Sequence, residues 1–205
     1  MDIHACSIYQ DTQQQFASVI PFMTYGLEHN EKCIYIVDDQ SVSDVVGAFE
    51  ASGFPIQTYI VSKQMEFATK NDTYLINGVF NPEKTIQLIK TFRDASLNNG
   101  FAGFRGTGEM TWALEDSSNN DKLIYYESQL NTLIQENHIA IMCQYNEKKF
   151  PHHTLTDVIR THPTLSIYSI NYDNATFYTP PEYMCVSDQF SGSAYTEMVR
   201  EITHS

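Results

Sequence analysis

Short runs rich in β-branched residues alternate along the chain with longer stretches whose apolar positions recur at helical spacing. That alternation predicts an α/β protein with a mostly parallel central sheet and helices on both faces. Ile3 to Tyr9 reads as a strand, and Phe16, Val19, Ile20, Met23 and Leu27 then mark one face of a helix that ends between Gly26 and Asn30. Cys33 to Val37 is a near-continuous apolar run, the pattern of a strand buried on both faces. It stops at Asp38 and Asp39, after which Ser41 has the character of a helix N-cap with Asp44 in the first turn. Val45, Val46 and Phe49 point that helix inward, and Ser52-Gly53 before Pro55 ends it. Gln57 to Val61 has strand composition.

Met65 to Thr69 and Tyr74 to Ile76 fit short strands around a turn at Lys70-Asn71-Asp72. Asn81-Pro82-Glu83 opens a helix with proline in its first turn. Ile86, Ile89, Lys90 and Phe92 set its face, and Asn98-Asn99-Gly100 closes it. Phe101 to Arg105 forms a strand that runs into the segment Gly106 to Leu114. Leu123, Tyr126, Leu130 and Ile134 share one side of a helix over 123–137, and Ile139 to Tyr145 is a second buried strand. A short helix over Leu155 to Arg160 ends at His162-Pro163, and Leu165 to Ile170 supplies the last strand. Residues 1–185 therefore read as one domain and 186–205 as a linker and helix outside its core. In that tail VSDQFSGSA has linker composition, and Tyr195, Met198, Val199 and Ile202 form a narrow apolar stripe that needs a partner, either the same helix of a second copy or the domain's own surface.

Composition narrows the function. A chain of 205 residues is long enough to bury a core without disulfides or metals. Its 25 acidic and 12 basic residues give a net charge of −13, which opposes direct contact with nucleic acid or anionic lipid. No apolar run approaches the roughly 18 residues that span a bilayer, and the N-terminus lacks the positive charge of a signal peptide. A cytoplasmic location is expected. Cys6, Cys33, Cys143 and Cys185 are scattered without a CxxC pair, as reduced thiols would be.

Ligands of open α/β sheets sit beyond the carboxyl ends of the strands, which draws attention to Asp38-Asp39, to FRGTGEMTW at 104–112 and to Gln144 to Asn146. In the second of these Arg105 offers a bidentate clamp, Glu109 an acceptor, and Trp112 an apolar wall. An Arg105–Glu109 ion pair with Trp112 in the core is the plainer alternative. No G-x-x-x-x-G-K-[ST] loop is present, so Mg-ATP lacks its Lys and hydroxyl. His4 and Cys6 share a strand face and could join Cys33, Cys143 or His162 around a metal. Buried cysteines are usually small core residues, however, and no metal is expected.

The segments HACSIY, GLEHNEKCIYIVDD, FRGTGEMTWAL, YESQLN, MCQYN and DVIRTHP, in this order, resemble the MEDS domain, named for methanogen and methylotroph proteins and a dichloromethane-responsive regulator. The resemblance covers about residues 2–180. It implies a three-layer RecA-like fold, a degenerate relative of RecA and KaiC type ATPases. It also implies a sensory input domain of prokaryotic signalling or transcription-regulatory proteins, sensing hydrocarbon derivatives or related small molecules for a fused or partner output domain. His4, Cys6, Arg105, Glu109, Trp112, Cys143, Tyr145, His162 and Pro163 fall at the family's characteristic positions. The expectation is thus a non-enzymatic sensor with a small-molecule ligand held by Arg105, Glu109, Trp112, Tyr145 and His162, and with a possible homodimer. A residual RecA/KaiC-type nucleotide hydrolase with Glu109 as base, and a ligand-free interaction module, are the rival readings.

Overall fold

A computed structural model describes residues 2–135, 137–184 and 192–204. In chain order these form β1 (Ile3–Tyr9), α1 (Thr12–Glu28), β2 (Glu31–Val37), α2 (Val42–Ala51), α3 (Ile56–Val61), β3 (Met65–Thr69), α4 (Lys70–Thr73), β4 (Leu75–Ile76), β5 (Val79–Phe80) and α5 (Pro82–Asn98). They continue with β6 (Gly103–Glu109), a 3-10 turn at Thr111–Glu115, α6 (Asn119–Ile134), β7 (Ile139–Asn146), α7 (His152–Thr161), β8 (Thr164–Ile167), β9 (Ile170–Asp173), a 3-10 turn at Pro181–Tyr183 and α8 (Gly192–Thr203).

The main sheet has seven strands in the order β3-β2-β6-β7-β1-β8-β9. All neighbours are parallel except the β8–β9 hairpin at one edge. Successive side chains of a strand point to opposite faces, so each strand feeds two cores. On one face Cys33, Tyr35 and Val37 pack against Val19, Met23 and Leu27 of α1, Val45 and Phe49 of α2, and Ile56. On the other, Ile8, Ile34, Phe104, Ile141 and Leu165 pack beneath α5, α6, α7 and α8. The three-layer arrangement is the RecA-like architecture expected.

Leu165 to Ile170, read as one strand, breaks at Tyr168 and Ser169, at φ of 51° and 71°, into the β8–β9 hairpin, and two further segments differ from expectation. Residues 56–61 are a helix, α3, although their composition favours a strand. The place beside β2 is taken by β3, whose residues pair with Cys33 to Val37 in register. With the place beside β2 already taken, the residues after Pro55 turn into a short helix that buries Ile56 and stacks Tyr59 on Phe54. Lys63, at a φ of 59°, reverses the chain into β3.

The second difference is at the C-terminal end. Residues 185–191, including Cys185 and most of the expected linker, lie outside the described residues. Beyond them α8 lies on the domain itself, against α7, with Tyr195, Met198 and Ile202 buried in the same core as Leu155 and Val158. A helix of 12 residues is marginal alone, and of the two partners open to its stripe the chain's own surface is the one that covers it. Among the described residues no helix is long and apolar enough to cross a membrane.

Candidate functional site

The segment 104–112 does not form one pocket. Along β6 the side chains of Arg105, Thr107 and Glu109 enter the α1 face, while Phe104, Gly106 and Gly108 face α5 and α6. Arg105 is 1% exposed and pairs with Glu31, Nε to Oε2 at 2.6 Å, not with Glu109. Its guanidinium lies 4.4 Å from the Phe22 ring centre and 5.2 Å from that of Tyr25. It reaches Glu31 across Gly26 of α1, where an added Cβ would stand 2.4 Å from Arg105 Nε. Arg105 also lines an open groove of about 330 Å³ with Ala5, Phe22, Met142 and Ser166, and its Nη2 has no hydrogen-bond partner.

Glu109 ends β6 and closes the carboxyl edge of the sheet. Its Oε2 accepts from the backbone N–H groups of Asp38 at 3.0 Å, Asp39 at 2.5 Å and Gln40 at 3.0 Å, a nest at the β2–α2 junction. Its Oε1 accepts from the Tyr35 hydroxyl at 3.2 Å and from Gln15 at 3.4 Å. Burial raises its pKa, and the backbone donors hold that rise back. Ion pairs of Lys70 with Asp38 at 2.8 Å and of Lys149 with Asp39 at 2.8 Å tie down the same loop. Only Gln10 and Asp11 separate β1 from α1, and Asp11 caps the helix by accepting from Gln14 N–H at 2.9 Å. The chain has no room there for a phosphate-cradling loop, and its own carboxylate takes the helix N-terminus.

Trp112 is fully buried on the other face, stacked on Tyr74 at 4.7 Å between ring centres and beside Phe80 at 4.5 Å. Next to this aromatic wall lies an apolar cavity of about 30 Å³. Ile34, Ile89, Phe92, Phe104, Tyr126 and Ile141 line it, with Gly106 and Gly108 at its floor. At Gly108 an added Cβ would stand 2.2 Å from the Tyr74 hydroxyl oxygen, and at Gly106 its nearest neighbours would be Phe104 ring atoms at 3.4 Å. The expected ligand residues Arg105, Glu109, Trp112, Tyr145 and His162 do not line this cavity.

Tyr145 and His162 belong instead to a buried polar cluster on the same face, built around Glu127 of α6. Glu127 Oε1 accepts a short hydrogen bond from the Tyr145 hydroxyl. Its Oε2 lies 3.2 Å from His4 Nε2, 3.3 Å from His162 Nε2 and 3.3 Å from Cys143 Sγ. Burial works against the Glu127 charge, yet His162 and His4 outweigh it and hold the carboxyl below its usual range. Burial, and then the neighbouring His162, lower the pKa of His4.

Cys6 is buried on the same face as His4, whereas Cys33 packs on the opposite face near the Met23 carbonyl. Glu127 was not singled out from the sequence, although the signal is there. It falls on the stripe of Leu123, Leu130 and Ile134, and an acid on the buried face of a helix needs partners. Asn131, four residues on, shares that signal.

No curated protein matches the chain. Among solved structures it is similar to a KaiC-like protein from the hyperthermophilic archaeon Pyrococcus horikoshii OT3, at 11% identity and a TM-score of 0.55, over 81% of this chain and 70% of that one. That likeness supports the RecA/KaiC-type fold. The family described as the MEthanogen/methylotroph, DcmR Sensory domain matches residues 3–163. With that match over most of its length, the chain belongs to the MEDS family of sensory domains.

Proposed function

We propose that this sensory domain is a non-enzymatic input module that detects a small apolar molecule of the hydrocarbon-derivative kind. It relays occupancy to a signalling or transcription-regulatory output, fused or separate, in a prokaryotic cytoplasm. The observation that carries this reading is the apolar cavity lined by Gly106 and Gly108. Protein interiors are close-packed, and here a space walled by Ile34, Ile89, Phe92 and Ile141 remains over Gly106 of a central strand, while Tyr74 fills the place over Gly108. A cavity of about 30 Å³ suits a guest of about one to three heavy atoms. Tyr74, which stacks on Trp112, supplies its polar tip. A base for hydrolysis is lacking at Glu109, whose carboxylate is engaged by three backbone donors and two side chains.

The test is a titration with dichloromethane and with xenon, followed by methyl NMR at Ile34, Ile89 and Ile141. Saturable shifts are expected in the native chain. In Gly106→Ala, whose methyl fits but fills the floor, affinity should fall at least tenfold with no loss of melting temperature. Equal binding by both proteins, or no saturable shift in either, would contradict the reading.

The Arg105 groove carries a second reading, because the unpartnered Nη2 there suits an anionic group. Small carboxylates shifting Phe22 and Tyr25 instead of the three isoleucines would favour it.

A further inference from the structure

The geometry points to a transition-metal centre of the zinc type at His4, Glu127, Cys143 and His162, on the face of the sheet beneath α6 and α7. One potential ligand atom from each residue lies within 4.8 Å of every other, and all four residues are buried. Glu127 Oε2 lies 3.2–3.3 Å from His4 Nε2, His162 Nε2 and Cys143 Sγ, and His4 Nε2 lies 4.0 Å from Cys143 Sγ. A tetrahedral ion with Zn–N, Zn–O and Zn–S bonds of ordinary length has ligand-to-ligand edges of about 3.3–3.7 Å. The four side chains therefore need to move little to close around one.

The outer hydrogen bonds show what the inner atoms offer. His162 Nδ1 lies 2.7 Å from the Val158 carbonyl oxygen, which can only accept, so Nδ1 carries the hydrogen. Asn131 donates Nδ2–H to the Thr161 carbonyl at 2.7 Å, which turns its Oδ1 toward His4 Nδ1 at 3.0 Å and fixes the hydrogen there too. The Nε2 atom of each ring is therefore the one turned to the Glu127 carboxylate. A buried carboxylate facing two imidazole nitrogens calls for positive charge between them, supplied by a proton on one Nε2 or by a metal ion, and the Cys143 sulfur beside them adds a ligand that suits the ion. His162 Nε2 is fully buried and without a hydrogen-bond partner.

Tyr145 holds Glu127 Oε1 and so leaves Oε2 for the centre. Histidines donating outward to a carbonyl or amide, and a carboxylate held by a neighbour, are the supporting shell that metal ligands have. Charge is consistent as well. A divalent ion bound by the Glu127 carboxylate and the Cys143 thiolate makes a neutral centre, and the thiol proton leaves to solvent.

Two imidazoles, one thiolate and one carboxylate suit a borderline ion, and the closed four-ligand set resembles a structural site more than a catalytic one, which keeps an open position. This inference is independent of the apolar cavity. The two are nonetheless adjacent, because Tyr126 and Ile141 line the cavity while Glu127 and Cys143 supply ligands.

The test uses the full chain, purified without chelator for metal analysis, then unfolded with chelator and refolded with cobalt(II) or zinc(II) alone. About one equivalent per chain should be retained, one proton or more released on binding, and the cobalt form should show a thiolate-to-metal charge-transfer band. Cys143→Ser should abolish the band and weaken binding at least tenfold, whereas Cys6→Ser should keep it. The idea is overturned if native chain, refolded as judged by circular dichroism, holds no stoichiometric metal, or if the band survives in Cys143→Ser. Should that variant fail to fold, the native stoichiometry and the presence or absence of the band decide.

Discussion

At the residue scale the sharpest constraints come from charges that have left water. Glu109 accepts from three successive backbone N–H groups, and its removal strands them at the end of β2. Glu109→Ala should lower the unfolding free energy by at least about 2 kcal/mol in urea, and Glu109→Gln, which keeps an acceptor, by less. Arg105→Ala leaves Glu31 buried without its partner, a loss of about 3–5 kcal/mol for pairs of this kind. Gly106 and Gly108 should part company in the same assay. Alanine at 108 drives a methyl into the Tyr74 hydroxyl and should cost about 1–3 kcal/mol. Alanine at 106 should be neutral or stabilising, because it meets ring atoms at contact distance.

The residue types of FRGTGEMTW were legible as chemistry, but the joint pocket read from them does not form. A strand sends neighbours to opposite faces, and that separates Arg105 and Glu109 from Trp112 by the thickness of the sheet.

At the scale of elements, period was a good guide wherever one face of a helix or both faces of a strand were buried. α1, α5 and α6 appear with the apolar positions read for them, and β2 and β7 are the buried strands of the central sheet. α3 was misread because six residues of β-branched and aromatic character fit either state, and only the pairing of β3 with β2 decides between them. α8 is the instructive case. Its stripe was legible, but its partner was not, since sequence alone does not say which surface covers a helix.

With Tyr195, Met198 and Ile202 buried, deletion of residues 187–205 should lower the melting temperature by several degrees. In analytical ultracentrifugation, self-association should not decrease. The docking should also weaken in acid. Burial opposes ionisation of Glu147, but donors from Tyr195, Tyr168 and Gln10 outweigh it and hold the carboxyl below its usual range. Stability from that lowered pKa is present above the unfolded value and lost as pH falls through the folded one. Protection of α8 amides from hydrogen exchange should therefore drop below about pH 4 in the native chain. In Tyr195→Phe the drop should be smaller.

For the whole molecule, RecA-like layers are joined at the carboxyl end of β1 by a junction of only two residues, where Asp11 of the chain itself takes the N-terminus of α1. Magnesium-dependent ATP binding should be undetectable at micromolar concentrations by isothermal titration. The proposed sensing site is the interior cavity over β6, which shares α6 and β7 with the Glu127 cluster. That adjacency was beyond the sequence, because it depends on β1, β7 and the helices over them meeting across more than a hundred residues of chain. The most direct measurement is a crystal structure of the chain under xenon pressure or dichloromethane vapour. A guest resolved between Gly106, Ile89 and Phe92, with Tyr74 displaced or re-bonded beside it, is the expected result. An empty cavity at saturating guest, or a guest found only in the Arg105 groove, would contradict the claim that this space is the sensing site.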